Sequence, residues 1–115
     1  MLSAPNRLRA SADFTDAISH GVRVGRPTLV VHARRCESGD TMVGFVVSRA
    51  VGGAVVRNRV KRRLRALARP LAMRDGGPKC HVVVRALPAA ISQPDRLAGD
   101  LEDAWSLAMQ KAGLS

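Results

Sequence analysis

One segment constrains this chain more than any other. From about Val55 to Arg69, apolar residues recur at Val56, Val60, Leu64, Leu67 and Leu71, the spacing of a single buried stripe on an α-helix. From Arg57 to Arg69 the same segment carries seven basic residues and no acid. Such a helix needs an apolar partner along one side and presents one sign of charge on the other. On a wheel at about 100° per residue, Asn58, Arg62, Arg65 and Arg69 lie opposite the stripe. Arg57 and Lys61 flank one edge, and Arg63 falls beside the stripe, suited to packing or an edge contact. The run lacks the oppositely charged i, i+4 partners of a solvated surface helix, so the free helix repels itself until a polyanion supplies the missing charge. Pro70 disfavours helical geometry at Arg69, so the helix either stops there or kinks through one more turn to Met73.

The rest of the chain leans the same way. With 115 residues and 46% hydrophobic content, residues 1–115 are expected to form a single domain with a modest core. Lys and Arg number 19 against 9 Asp and Glu, a formal charge of +10, which makes polyanions the natural partners. Arg dominates the excess, and its planar fork can hold two phosphate oxygens at once, which favours structured nucleic acid. No apolar stretch approaches the ~20 residues of a membrane span, and the N-terminus lacks the apolar core of a signal peptide. A cytoplasmic protein without a membrane partner is expected.

Protein-borne catalysis is not expected. The acids are scattered as Asp13, Asp16, Glu37, Asp40, Asp75, Asp95, Asp100, Glu102 and Asp103, none of them within the basic run. A metal-dependent nuclease would cluster its carboxylates. His20, His32 and His81 show no spacing that brings a general acid and base together. Cys36 and Cys80 match no metal-ligand spacing and read as structural thiols. No catalytic residue and no protein metal site are therefore assigned.

Along the chain, Ser11 precedes a short helix over residues 12–18 that Gly21 closes. Phe14 and Ile18, four apart, share a side of this helix and either pack or touch a ligand. Thr28–Ala33 and Met42–Val47 read as strands, and the polar stretch Glu37-Ser38-Gly39-Asp40 between them predicts a hairpin. Gly52 and Gly53 precede the basic helix; they permit a turn, or they expose backbone N–H groups to a phosphate. Asp75-Gly76-Gly77-Pro78 forces a turn, Lys79–Arg85 is a further strand, and a last helix follows Pro94. The pattern predicts an α+β two-layer sandwich, ribosomal-protein-like, with three helices on a small central sheet in the order α-β-β-β-α-β-α.

Val55-Val56-Arg57-Asn58-Arg59-Val60-Lys61-Arg62-Arg63-Leu64-Arg65 resembles the signature of the bacterial ribonuclease P protein subunit. The resemblance extends through Gly44-Phe45-Val46-Val47-Ser48-Arg49 and Val51-Gly52 to Arg7-Leu8-Arg9 and Asp13-Phe14, covering most of the chain in the right order. It implies a holoenzyme in which a large RNA holds a Mg²⁺-dependent active site and removes the 5′ leader of precursor tRNA, with one protein bound per RNA. The resemblance assigns RNA binding to Arg57, Asn58, Arg59, Lys61, Arg62, Arg65 and Arg69, and a leader-binding cleft to Arg7, Arg9, Phe14, Ile18 and His32. Ile18 and His32 stand where relatives often carry aromatics. Ala50 and Gly53 stand where they often carry a basic residue and an Asn. From its chemistry alone, Asn58 could read a base edge, a ribose hydroxyl or a hydrated metal, or be an ordinary first-turn residue. The alternative is a ribosomal-type structural RNA-binding protein. A major-groove DNA reader would need a helix-turn-helix partner or a dimer half-site.

Overall fold

A computed structural model describes residues 17, 18, 20–35, 42–73 and 80–113. Alternating Val22 and Val24 build β1 (Val22–Gly25), a continuous buried run builds β2 (Leu29–Arg35), and β3 (Met42–Val46) leads through a glycine turn into α1 (Ala54–Ala72). β4 (Cys80–Ala86), the single-turn α2 (Ala89–Ser92), a 3₁₀ turn (Pro94–Arg96) and α3 (Leu97–Lys111) complete the described chain. Ala17, Ile18 and His20 are helical, the end of the helix expected at the N-terminus. The four strands form one mixed sheet in the order β1-β2-β4-β3. The expected α+β class and element order hold.

The sheet order corrects one expectation. β2 and β3 do not form a hairpin, because β4 lies between them, antiparallel to β2 and parallel to β3. The hairpin is instead β1 with β2, closed where the Arg26 amide donates to the Leu29 carbonyl at 2.8 Å. The reason lies in β4, where Val82, Val83 and Val84 are all 0% exposed. A strand that is apolar on both sides belongs in the middle of a sheet. Parallel neighbours cannot be joined by a tight turn, so the chain from β3 to β4 needs a long crossover, and α1 occupies it.

The core lies between the sheet and the two long helices. Val24, Leu29, Val31, Ala33, Val43, Val82 and Val84 face Val60, Leu64, Ala68 and Leu71 of α1 and Leu97, Leu101, Ala104 and Trp105 of α3. α3 packs across β1 and β2, α1 packs against β3, and the helices touch each other. Cys80 is a buried thiol whose Sγ donates to Met109 Sδ at 4.0 Å, in keeping with a structural role. The β1–β2 turn is tied to α3 by Asp100, whose Oδ2 accepts from the Thr28 amide at 3.1 Å and from the Thr28 hydroxyl at 2.7 Å.

Of the two outcomes open at Pro70, the helix takes the longer one. It runs to Ala72, and the Met73 amide donates to the Arg69 carbonyl at 3.2 Å. Proline inside a helix costs about 3 kcal/mol. Continuing the helix carries Leu71 and Ala72 into the core, and burying a leucine alone recovers about 1.5–3 kcal/mol.

Candidate nucleic-acid interface

α1 distributes its basic residues around three sides of the stripe. Asn58, Arg59, Arg62, Arg63 and Arg69 are exposed, whereas Arg57, Lys61 and Arg65 are half-buried along one edge. The wheel is thereby corrected twice. Arg63, expected beside the stripe, is in solvent. Arg65, expected to lie opposite it, leans back so that its guanidinium stands 6.0 Å from the centroid of the Phe45 ring on β3, a cation–π contact. Arg57 Nε is buried without a hydrogen-bond partner among the described residues.

The start of α1 is built for a negative partner. Gly53 caps it without a side-chain hydrogen bond, and the first turn holds no acid. The Arg57 amide donates to the Gly53 carbonyl at 2.9 Å, which leaves the amides ahead of it outside the helix's own ladder. Gly52 answers to packing: a Cβ there would stand 2.9 Å from Val56 Cγ1. Gly53 faces open space.

A second basic surface lies on the sheet face away from α1 and α3. Strand alternation places Arg23 on β1, Val30, His32 and Arg34 on β2, His81, Val83 and Arg85 on β4, and Met42, Gly44 and Val46 on β3 on this face. Register sets Arg23 opposite His32, His32 opposite Val83, Val30 opposite Arg85, and Arg34 opposite His81. Ala17 and Val83 are buried together here, with Met42 and Val46 against them. Gly21 allows the N-terminal helix to approach this closely, since a Cβ at Gly21 would collide with the carbonyl oxygens of Ala17 and Ala33.

Of the expected cleft residues, Arg7, Arg9 and Phe14 lie outside the described residues, as do the first turns of their helix, the Glu37–Asp40 stretch, Cys36 and the Asp75–Pro78 turn. Ile18 is 40% exposed, and its neighbour Ala17 is the residue buried in the cluster with Val83. His32 is 3% exposed, and among the described residues neither ring nitrogen has a hydrogen-bond partner. Burial, then Arg23, then Arg85, hold its pKa below the ordinary 6.5. The sequence reading missed Arg23, Arg34, His81 and Arg85. Arg34 shares its strand parity with His32, but Arg23, His81 and Arg85 come to this face only through the register of three strands, which a period-two count does not supply.

Among the described residues the acids are Asp95, Asp100, Glu102 and Asp103, all in the 3₁₀ turn and α3. No three His, Cys, Asp or Glu side chains among the described residues come together to hold a metal. No described helix is long and apolar enough to cross a membrane.

A small α+β unit with an acid-free basic helix on one side of its sheet and a basic sheet face on the other is a protein shaped for a polyanion. The family model for ribonuclease P matches residues 2–109, and the chain belongs to the ribonuclease P protein component family. It is 56% identical over 106 residues to the ribonuclease P protein component of a Nocardioides species, covering 89% of this chain and 90% of that protein. Its identity to the same component of Kocuria rhizophila is 44% over 112 residues, covering 96% and 98%. Among solved structures, the ribonuclease P protein of Staphylococcus aureus superposes with a TM-score of 0.79 at 25% identity, covering 90% of this chain and 94% of that one. That of Thermotoga maritima superposes with a TM-score of 0.70 at 25% identity, covering 84% and 92%.

Proposed function

We propose that this chain is the protein subunit of an RNA-based ribonuclease P. It binds the catalytic RNA through α1 and the 5′ leader of precursor tRNA across the face between the N-terminal helix and the sheet, and assists removal of that leader. The observation that carries this reading is the unbalanced charge of α1, seven basic side chains without an acid, within a family whose members are ribonuclease P proteins.

The chain's own residues do the work of an electrostatic cofactor. The exposed Arg59, Arg62 and Arg69 each offer a planar fork to a phosphate, and Asn58 beside them offers both a donor and an acceptor. Each phosphate contact displaces condensed counterions, so affinity falls with salt by a slope of about 0.7–0.9 per contact. Arg65, held over Phe45, sets the edge of this surface against the sheet. Mg²⁺ belongs, in this reading, to the active site on the RNA, with one protein per RNA in the cytoplasm.

Reconstitution tests the proposal. Purified protein added to its ribonuclease P RNA should lower the Mg²⁺ needed to cleave precursor tRNA, and should favour substrate with a leader over mature tRNA. Unchanged cleavage at low Mg²⁺ would overturn it.

A further inference from the structure

His32 is the least comfortable polar side chain in the described structure. It is 3% exposed, and both ring nitrogens lack a hydrogen-bond partner among the described residues. Buried polar groups are almost always satisfied, so an exception asks for an explanation, an absent partner being one. Its surroundings say what kind of partner. Arg23 faces it directly from β1, and Arg85 stands diagonally across from it on β4. Both arginines are exposed. Their backbones flank β2 about 12 Å apart, two strand spacings across and two residues along, within which two arginine side chains can close on one anion.

The other groups facing His32 have the same sign or none. Arg34 and His81 occupy the next cross-strand row, and β3 contributes Met42, Gly44 and Val46. The described residues of the N-terminal helix add Ala17, Ile18 and the exposed His20. The acids of α3 belong to the opposite layer. Asp13 and Asp16 lie outside the described residues. Among the described groups, then, nothing on this face stabilises a charged imidazole, and burial with two neighbouring guanidinium groups keeps the ring neutral.

We propose that Arg23, His32 and Arg85 form a phosphodiester site on this sheet face, and that single-stranded RNA bound there drives His32 to take up one proton. This rests on the reading that the leader crosses this face. A phosphate between the two guanidinium groups reverses the local field that disfavours imidazolium, and gives the ring an acceptor. The balance is simple: one proton passes from solvent to the imidazole, giving imidazolium, and no bond between heavy atoms changes. By linkage, RNA affinity then rises as pH falls, by up to about tenfold per pH unit between the free and bound titration midpoints of His32.

The experiment follows the His32 imidazole by NMR in the full chain across pH, alone, with a short single-stranded RNA, and with inorganic phosphate; His20 and His81 serve as internal references. The expected result is a free midpoint below 6.5 that moves up by about one unit or more with the RNA. Affinity for the RNA should strengthen in parallel as pH falls, and His32→Gln should bind RNA with no such dependence. Because the titration is made on the unmodified chain, it stands even if His32→Gln folds poorly. Inorganic phosphate, which supplies the charge without the chain, should move the midpoint less than the RNA does. A midpoint unmoved by the RNA, or moved as far by inorganic phosphate as by the RNA, overturns the proposal. The leader reading is tested separately, by the preference for leader-bearing substrate at one fixed pH. If that preference persists while His32 is unmoved, only the proton coupling fails. If His32 responds while the preference is absent, the site stands and the leader assignment falls.

Discussion

His32 and Arg62 illustrate how differently two cationic residues can serve one protein. His32 is neutral in the fold because charging it there is costly, so its folded pKa lies below its unfolded one. Stability is therefore fully present above about 6.5 and is lost as pH falls through that value toward the folded pKa, by up to about 1.4 kcal/mol per pH unit. Urea unfolding midpoints should decline over that window in the free protein, and His32→Gln should remove most of that slope. Arg62 is in solvent and adds little to stability, so Arg62→Ala should leave the melting temperature almost unchanged. If it contacts one phosphate, the substitution should cut the salt slope of RNA binding by about 0.7–0.9, as read from titrations at several salt concentrations. The α1 residues could be read from sequence because helical spacing and one-signed charge coincide within a contiguous run. Arg23, His32 and Arg85 come from three strands, and pairing alone makes them neighbours.

At the scale of elements, the apolar periods of the strands and of α1 were readable, while their partners were not. Two strands separated by a short polar stretch look like a hairpin, yet β4 displaced that pairing because its fully buried valines require a strand on each side. Period says which face is buried and not which neighbour buries it. Pro70 shows a similar competition within α1. The local rule ends the helix at Arg69, and the burial of Leu71 and Ala72 overrides it. Pro70 is itself exposed, at a groove of about 400 Å³ lined by Ala66, Leu67, Leu71, Ala98 and Glu102. Pro70→Ala restores an amide donor to a helix already formed, and should raise stability by about 1–3 kcal/mol in denaturant unfolding. A loss of stability would mean that proline's stiffening of the unfolded chain outweighs its cost in the helix.

Across the whole molecule, charge is segregated by layer. The described acids sit in the 3₁₀ turn and α3, while α1 and the outer sheet face are basic. The net charge of +10 was plain from composition, but its distribution needed the topology that places α3 across β1 and β2. At about 0.1 M salt, exposed charges more than about 10 Å apart are largely screened. Asp103→Asn, on α3 and outside the groove beside Pro70, should therefore leave the salt slope of RNA binding unchanged. A slope steepened by one contact or more would place α3 at the RNA. The titration used for Arg62→Ala decides this as well.

The central place of β4 has a further consequence during synthesis. Residues 80–86 hold the middle of the sheet yet come after α1 in the chain. As the polypeptide emerges from the ribosome, α1 leaves before the strand that completes its support, and β3 has no hydrogen-bonded neighbour until β4 arrives. For that interval the nascent chain presents a basic, amphipathic segment without a finished core beneath it.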